Sequence, residues 1–389
     1  MERVRYGMVG GGSSTFIGAV HRAAASLDGE LELVCGAFSG DAQRSRAVGE
    51  TLRLDSERCY SDYETMFARE ALRDPAERMR FVSVVTPNHL HFPVAVAALR
   101  RGFHVLSDKP ATISLRECIE LEAELSTRGL LYAIAHAYAC YPLVAEAKNL
   151  VASGKLGTIR KVVVEYSKGS LAKPLERSGN ARAQRRLDPA RTGPSCCFGD
   201  IGVHAFNLAE FVTGLDVTEM AAELNHVIKG RTLDDDGTAL LRFNNGGHGV
   251  LMASLVSIGE ENNLALRVYG DEATLEWRQM EPNSLWLRYA DRPAELLRAG
   301  SSYLCEASRA LSRVSPGHPE GFIEAFANLY SRFAAQVREH EAGPPEPGAA
   351  RHAKAPGIRE ALRGMAFVET AITASASSQK WHRFPDLPL

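Results

Sequence analysis

The sequence predicts an α/β protein in which a doubly wound parallel sheet is followed by an α+β domain with a largely antiparallel sheet. Short apolar runs alternate with helical patterns through the first third of the chain, which is typical of a βαβ arrangement. Longer runs of strand composition follow, and a hairpin signal joins two of them. The 389 residues also exceed the roughly 250–300 residues at which one hydrophobic core stops growing. We therefore expect two domains, over residues 1–135 and 136–389.

In the first domain, buried-type apolar runs predict strands, and amphipathic runs predict the helices between them. We predict strands over residues 4–9, 31–38, 81–85, 104–107 and 131–135. We predict helices over residues 17–27, 41–52, 91–101 and 114–128. Ser114 is a suitable N-cap for the last of these helices.

The second domain is predicted from strand-like runs that follow a helix over residues 141–153. These runs cover residues 159–166, 238–243, 250–256 and 264–269. The turn Asn244–Gly247 reads NNGG between two of the runs and favours neighbouring antiparallel strands. Further helices are predicted over residues 322–340 and 358–378, on either side of a connector rich in Pro and Gly.

Two long inserts interrupt this pattern, at residues 168–194 and 291–319. Both inserts contain many Gly, Ser, Pro and Arg residues, a composition that predicts loops. Ordered loops of this length are uncommon and often functional, and solvent-exposed slack is the alternative.

The composition excludes several classes of protein. The 45 Lys and Arg residues against 47 Asp and Glu residues give a formal charge of -2, so no overall positive field holds nucleic acid or an anionic membrane. The longest uncharged stretch, residues 130–145, is too short and too polar to span a bilayer. The seven cysteines form an odd number without a C-x-x-C pair, which argues against a disulfide framework and a zinc site. We therefore expect a cytoplasmic protein with a small-molecule partner, and neither nucleic-acid nor membrane binding.

A glycine-rich segment, GGGSSTFIG at Gly10–Gly18, directly follows the first strand and opens the first helix. Glycines permit a tight turn and let backbone N–H groups approach phosphate oxygens at a helix N-terminus. In this position they predict a dinucleotide-binding turn, although the spacing departs from G-x-G-x-x-G and a flexible turn is the alternative. The predicted cofactor contacts are Gly10, Gly12, Ser14, Thr15, Phe16 and Ile17.

The choice between NAD and NADP stays open. About 20 residues further on, the end of the second strand is where an acidic residue would bind the ribose 2′-hydroxyl of NAD. Phe38 and Ser39 stand there instead, with Asp41 just beyond and Arg44 on the next helix. Ser39 and Arg44 are the candidate contacts at this end of the cofactor.

The segment Thr86–Pro110 places two polar loops after the strands 81–85 and 104–107, where ligands of open α/β sheets bind. A strand followed by TPN-x-x-H, a helix, G-x-H-V and DKP resembles the glucose-fructose oxidoreductase, inositol dehydrogenase and rhizopine catabolism (Gfo/Idh/MocA) family of sugar-type dehydrogenases. That family usually has Glu where this chain has Asp108, and aspartate keeps the charge on a shorter side chain. The candidate cofactor contacts in these loops are Thr86, Pro87, Asn88, His91, Asp108 and Lys109.

The resemblance covers nearly the whole chain. It implies a Rossmann NAD(P)-binding domain, a second domain whose large open sheet builds a homodimer or homotetramer, and a carbohydrate or cyclitol substrate. It also implies that Lys109 is the active-site lysine and that the Lys109–Pro110 peptide bond is cis. A lysine near a cationic nicotinamide in a desolvated pocket can have its pKa lowered, which allows it to relay a proton.

A second motif, GDIGVHAFNLAEF at Gly199–Phe211, presents Asp200, His204 and Asn207 at helical spacing. It resembles the D-x-x-x-H pair of the family, in which the carboxylate orients a histidine that takes the proton of a substrate hydroxyl. The family often has Asp at the position of Asn207. Asn can bind a sugar hydroxyl there but cannot act as a base.

Three further side chains are candidates by position. His136 and Tyr138 follow the last parallel strand and resemble family positions near the nicotinamide or the substrate, and domain-interface packing is the alternative. His318, beside the second insert, is a candidate for a substrate hydroxyl, and a helix-start turn explains it equally well.

A metal site is not expected. His89 and His91 form an H-x-H pair, and residues 234–236 read DDD, but no convergent third ligand can be assigned to either. The hydride transfer of the family also requires no metal.

These patterns predict an NAD(P)-dependent sugar or cyclitol dehydrogenase in which Lys109, Asp200 and His204 carry the chemistry. Two alternatives stay open: a redox-neutral enzyme that cleaves or epimerises glycosides with NAD, and a non-catalytic dinucleotide-binding regulator. The sequence does not identify the sugar, the carbon oxidised or the direction of the reaction.

Overall fold

The computed structural model describes residues 2–12, 15–343 and 353–389. The first of its two sheets is parallel and consists of β1 Val4–Gly10, β2 Leu31–Ala37, β3 Phe81–Val85, β4 His104–Ser107 and β5 Tyr132–Ile134. Its strand order is β2-β1-β3-β4-β5. The helices between these strands are α1 Phe16–Leu27, α2 Ala42–Thr51, α3 Tyr63–Ala71, α4 His91–Arg100 and α5 Leu115–Arg128. The prediction of a doubly wound parallel sheet is confirmed, and α3 is an element that the sequence patterns missed.

Local chemistry explains where several of these helices begin and end. The carboxylate of Asp41 caps α2 by accepting the backbone N–H of Arg44 at 2.8 Å. The hydroxyl of Ser114 accepts the N–H of Glu117 at 3.2 Å and caps α5, as predicted. At the other end of α5, Gly129 adopts a left-handed φ of 61°, which glycine takes without steric cost.

The second sheet is large and mainly antiparallel, and its strand order is β13-β12-β11-β10-β6-β9-β8-β7-β14. In chain order, its strands are β6 Lys161–Ser167, β7 Val217–Asn225, β8 Asp236–Phe243, β9 His248–Ser254, β10 Asn263–Tyr269, β11 Thr274–Arg278, β12 Ser284–Arg288, β13 Glu295–Arg298 and β14 His382–Arg383. The β6–β9 pair is parallel. The NNGG turn joins β8 to β9 as antiparallel neighbours, which confirms the hairpin prediction.

The helices of the second half of the chain lie on this sheet, in the two inserts or against the first sheet. They are α6 Pro142–Ala152, α7 Ala181–Arg186, α8 Pro189–Thr192, α9 Val203–Thr213, α10 Glu306–Arg309, α11 Phe322–Ala342 and α12 Ile358–Ser375. Tyr330 and Phe333 of α11 are fully buried in one core with Phe81 of β3. Met365 of α12 shares another core with β3 and α5, whereas Phe367 of the same helix stacks on Phe206 of α9. The two long C-terminal helices therefore pack on both parts of the molecule.

The inserts are less irregular than predicted. Residues 168–194 contain α7 and α8, and residues 291–319 contain the edge strand β13 and the short helix α10. Across the described ranges, no helix is long and apolar enough to cross a membrane.

Candidate active site

A cavity of about 520 Å³ lies at the carboxyl ends of β1, β2 and β3. Seven of the predicted cofactor contacts line it: Gly10, Gly12, Thr15, Ser39, Arg44, Thr86 and Pro87. The sequence patterns missed other lining residues, among them Phe38, Asp62, Tyr63, Leu90 and Val94. Asp62 and Tyr63 belong to the start of α3, and without that helix nothing in the sequence indicated their position.

Two glycines of the turn, Gly10 and Gly18, stand where a Cβ would clash with the backbone. Gly10 has a φ of 83°, and a Cβ added to it would lie 2.5 Å from the carbonyl oxygen of Val85. A Cβ on Gly18 would lie 2.4 Å from the Cα of Gly11, so the helix packs directly on the turn. The turn and the start of α1 therefore approach each other as closely as a dinucleotide-binding turn requires.

The N-terminus of α1 is free to receive an anion from the side of the cavity. Thr15 makes no side-chain cap to α1, and the first turn of the helix contains no acidic residue. Unsatisfied N–H groups at such a terminus suit a phosphate. Together with the glycine turn, this arrangement fits the pyrophosphate of NAD.

Two charged side chains line the described part of the cavity, Arg44 and Asp62. The carboxylate of Asp62 accepts the backbone N–H and the hydroxyl of Thr65, and these hydrogen bonds lower its pKa. Asp41 is likewise committed to capping α2. Arg44 is the cation on the side where a ribose would lie.

His91 lies between the two loops of the TPN and DKP motifs. Its Nδ1 is 2.6 Å from the carbonyl oxygen of Pro110, and its Nε2 is 2.9 Å from that of Thr86. The ring is buried, and burial lowers its pKa. His91 was predicted to contact the cofactor, but both ring nitrogens face protein carbonyls, so it joins the loops instead. The Lys109–Pro110 bond is cis, as the resemblance implied.

Lys109 and Asp200 meet directly across the cleft between the two sheets. The Nζ of Lys109 lies 2.5 Å from the Oδ1 of Asp200 and 2.6 Å from its backbone oxygen. The guanidinium of Arg186, from α7, donates to the other carboxylate oxygen. Burial alone would raise the pKa of Asp200, but Arg186 and Lys109 outweigh it and hold the pKa far below its ordinary value. Asp200 is therefore ionised and shared by two cations.

His204 has a different neighbour from the one expected. Asp200 was expected to orient it, but the two side chains form no hydrogen bond, and the Nδ1 of His204 lies 3.4 Å from the Nδ1 of His136. The ring of Tyr138 meets His204 edge-on at 4.8 Å, and its hydroxyl lies 2.7 Å from that of Tyr166. The sequence patterns missed Tyr166, because it lies inside an ordinary strand pattern.

Both histidines are neutral at neutral pH. Burial, together with the charge of Lys109, lowers the pKa of His136 to about 3. The same two causes, in the same order, lower the pKa of His204 well below its usual value. A neutral imidazole can accept a proton.

A tight helical turn and one buried carboxylate hold Asp200 in place. Asp200 belongs to a π-helical turn, Phe198–Gly202, that continues directly into α9. The side chain of Asp234 accepts the backbone N–H groups at the start of this turn, from Cys196 at 2.8 Å, Phe198 at 2.9 Å and Cys197 at 3.1 Å. Asp234 belongs to the acidic triplet considered for a metal, and its role is structural.

The first insert spans the cleft and brings Arg186 to Asp200. At one end, Arg231 donates to the carbonyl oxygen of Lys173 at 3.1 Å. At the other end, the amide of Asn88 donates to the carbonyl oxygen of Thr192 at 3.0 Å. Asn88 was predicted to contact the cofactor, and this bond commits its amide to the insert. The sequence patterns missed Arg186, although an Arg-rich insert was the available signal.

A buried polar chain lies behind Lys109. Asp108 accepts the backbone N–H of Lys109 at 2.8 Å, and its Oδ1 lies 4.0 Å from the Nε2 of His21. The Nδ1 of His21 lies 2.8 Å from the hydroxyl of Tyr330, which in turn lies 2.7 Å from that of Ser83. Asp108 is thus held between the active-site loop and helices α1 and α11.

Five predicted contacts lie elsewhere or outside the described residues. His318 is exposed and pairs with Ser315 on the surface. Asn207 lines a separate cavity of about 210 Å³ between α6, α9 and the start of α12. Phe16 and Ile17 form the first turn of α1, with Phe16 65% exposed, and neither lines the cofactor cavity. Ser14 lies outside the described residues.

The described residues contain no group of three or more His, Cys, Asp or Glu side chains that could hold a metal ion.

Two family models match consecutive parts of the chain. Residues 4–136 match a family described as an oxidoreductase family with an NAD-binding Rossmann fold. Residues 144–276 match the GFO/IDH/MocA C-terminal domain.

Similar proteins cover the chain from end to end. The uncharacterized oxidoreductase YfiI of Bacillus subtilis is 30% identical over 388 residues, which are 98% of this chain and 97% of that protein. An inositol dehydrogenase homolog from Azotobacter vinelandii, solved in complex with NAD+, has a TM-score of 0.92 and 34% identity over 98% of both chains. A homolog from the same organism, solved with NADH and myo-inositol, has a TM-score of 0.91 and 32% identity, again over 98% of both chains.

Proposed function

Because the chain belongs to the Gfo/Idh/MocA family of NAD-binding oxidoreductases, we propose that it is a dehydrogenase of sugars, sugar derivatives or cyclitols. The reaction would move a hydride between a secondary alcohol carbon and the nicotinamide. The observation that carries this proposal is the contact between Lys109 and Asp200, 2.5 Å apart, beside the buried His204. His91 joins the loop of Lys109 to Thr86, which lines the cofactor cavity. The inositol dehydrogenase homologs of similar structure support the class of substrate.

His204 is the base in this proposal. Its Nδ1 is engaged with His136, whereas its Nε2 makes no hydrogen bond to any described residue and is left for a substrate hydroxyl. The neutral ring accepts the hydroxyl proton as the alcohol carbon is oxidised. When bound, NAD supplies the hydride acceptor of the reaction.

Lys109 and Asp200 hold the substrate hydroxyl in place. The Nζ of Lys109 has three donors, of which Asp200 takes two through its carboxylate and its backbone oxygen. The third donor can bind the hydroxyl oxygen and stabilise negative charge on it. Asp200 fixes the ammonium in this position and stays ionised because two cations face it.

The proposal extends to the partners of the chain. Exposed apolar side chains, Leu240 of β8 and Met252 of β9, lie on adjacent strands of the second sheet, which supports a homodimer or homotetramer formed through the open face. All seven cysteines are free thiols, which supports a reducing, cytoplasmic location.

The test is absorbance at 340 nm with the purified protein, NAD or NADP, and a panel of glucosides, anhydrosugars, inositols and sugar phosphates. A rise with one member identifies the cofactor and the substrate class together. No rise with any member, despite dinucleotide binding measured by calorimetry, would contradict the dehydrogenase. Retained NAD released on denaturation would then favour a redox-neutral enzyme, and its absence a regulator.

A further inference from the structure

The substrate side of the cleft carries more positive than negative charge. Lys109 and Arg186 both donate to Asp200, so two cations share a single carboxylate. A third cation, Lys168, directly follows β6. Side chains two residues apart on a strand share a face, and Tyr166 of β6 has its ring centroid 6.3 Å from that of His204. Lys168 therefore lies on the face of β6 that meets the active site.

The electrostatic influence of Lys168 agrees with this placement. After burial, the charge of Lys109 and the neighbouring His136, Lys168 also contributes to the lowered pKa of His204. It acts in the same direction on the pKa of Asp200, after Arg186 and Lys109. Three cations thus lower the pKa of Asp200, and two of them, Lys109 and Lys168, also lower that of His204.

Arg186 has more hydrogen-bonding capacity than Asp200 uses. A guanidinium has five N–H donors in a planar fork, and here a single nitrogen, Nη2, donates to Asp200. The side chain is 22% exposed, so solvent and ligands can reach it. The other donors have no partner in the described part of the chain. A planar fork of this kind pairs best with a carboxylate or a phosphate.

Ion pairing with Asp200 does not by itself account for this arrangement. Lys109 already neutralises that carboxylate at 2.5 Å. Bringing a second cation, Arg186, to the same group from an insert anchored at both ends leaves an excess of positive charge in a partly desolvated cleft. Such an excess is costly unless an anion accompanies it.

We propose that the substrate is a sugar or cyclitol derivative with an anionic group, a carboxylate or a phosphate, that Arg186 binds. This inference rests on the proposed dehydrogenase function and adds the charge of its substrate. Arg186 is a specificity-determining residue in this account, and the first insert exists to hold it over the cleft.

The experiment compares matched pairs of neutral and anionic compounds: glucose with glucuronate, and myo-inositol with inositol 1-phosphate. Steady-state rates are followed at 340 nm, and binding to the NADH-loaded protein is measured by calorimetry. We expect the anionic member of at least one pair to have kcat/KM about 10-fold or more above its neutral partner. A preference for glucuronate would indicate that the site binds a carboxylate, and a preference for inositol 1-phosphate that it binds a phosphate.

Arg186→Gln should lower kcat/KM for the anionic member by about 10- to 100-fold, mainly through KM, and change the neutral member far less. Arg186→Lys keeps the charge and should recover part of the loss. Arg185→Gln is the matched control, because Arg185 is exposed on the same helix and its loss removes the same charge. A structural role of Arg186 would lower both members equally, so the ratio between them is the decisive readout.

Failure of the inference differs from failure of the proposed function. Turnover that favours the neutral members, or a ratio that Arg186→Gln leaves unchanged, would overturn the anionic substrate while keeping the dehydrogenase. If no compound is turned over, the proposed dehydrogenase function is contradicted, and calorimetry then tests the anion site by itself. Binding of an anion that Arg186→Gln abolishes would support the anion site, and absence of such binding would overturn it.

Discussion

The cofactor side and the substrate side of the cleft are built in different ways. The cofactor cavity is lined mainly by glycine backbone and by uncharged side chains, and Arg44 and Asp62 are the charged groups in its described lining. The substrate side instead gathers Lys109, Asp200 and Arg186 within hydrogen-bonding distance. The cofactor side offers a ligand shape and main-chain N–H groups, and the substrate side offers charge.

This difference decides which substitutions each side tolerates. On the cofactor side, an added methyl group on a glycine of the turn should be enough to block cofactor binding, whereas a change of charge should matter little. On the substrate side, a change of charge or basicity at constant volume should be the more damaging one. The predictions below test this division, from the largest expected effect to the smallest.

His204→Asn should lower kcat by about 10²- to 10⁴-fold, because it removes the proposed base at nearly constant volume. Dinucleotide affinity should stay within about threefold of the wild type, since His204 does not line the cofactor cavity. Stopped-flow rates and NADH titration by fluorescence measure the two quantities. Parallel losses of rate and NADH affinity would show that the two sides are not separate.

Gly10→Ala should have the opposite signature, with NADH affinity falling about 10- to 100-fold. The added Cβ would lie 2.5 Å from the carbonyl oxygen of Val85 on a backbone with a φ of 83°. Gly29→Ala is the matched control, because Gly29 has a φ of 68° and no atom within 4 Å of an added Cβ. Equal NADH affinity in both variants would contradict a specific role of the glycine turn in binding the cofactor.

The buried histidines predict a loss of stability in acid. The pKa of His136 is lowered to about 3 in the folded protein, so below its unfolded pKa of about 6.5 the unfolded chain binds a proton that the folded protein does not. The contribution of neutral His136 to the free energy of unfolding is complete above pH 6.5. It is lost as the pH falls toward 3, at about 1.4 kcal/mol per pH unit.

Denaturant unfolding of the wild type and His136→Asn between pH 5 and pH 7 measures this contribution. Below pH 6, the free energy of unfolding should fall less steeply with decreasing pH in the variant than in the wild type, by about 1.4 kcal/mol per pH unit. Identical slopes for the two proteins would mean that His136 is not buried in its neutral form.

Arg44→Gln should have the smallest effect, and it should change only the affinity for the cofactor. Arg44 is the cation in the described lining of the cavity, so its loss should weaken NADPH binding by up to about 10-fold and NADH binding much less. Calorimetry with both reduced cofactors gives the ratio. A larger loss for NADH would assign Arg44 a role other than binding a 2′-phosphate.

The sequence predicted the cofactor side better than the substrate side, for a physical reason. Gly10 ends β1, Thr86 directly follows β3 and Lys109 lies two residues after β4. Parallel strands bring their carboxyl ends to one edge of the sheet. Their proximity therefore follows from local pattern alone.

On the substrate side the decisive contacts are distant in sequence. Lys109 and Asp200 are 91 residues apart, and Arg186 reaches Asp200 from an insert that has no strong periodicity. Nothing local specifies that Asp200 bonds to Lys109 and not to His204. Asn207 lines a separate cavity, because helical spacing fixes a direction on α9 but not which neighbouring element that face meets.

The most direct test of the proposed hydride transfer uses a substrate with deuterium on the alcohol carbon. The protein is incubated with NAD and the labelled form of the compound that responds in the panel, and the recovered NADH is analysed by mass spectrometry. The account predicts one deuterium per NADH with the wild-type protein and about 10²- to 10⁴-fold less labelled NADH with His204→Asn in the same time. NADH without label, or labelled product without net NADH, would contradict it.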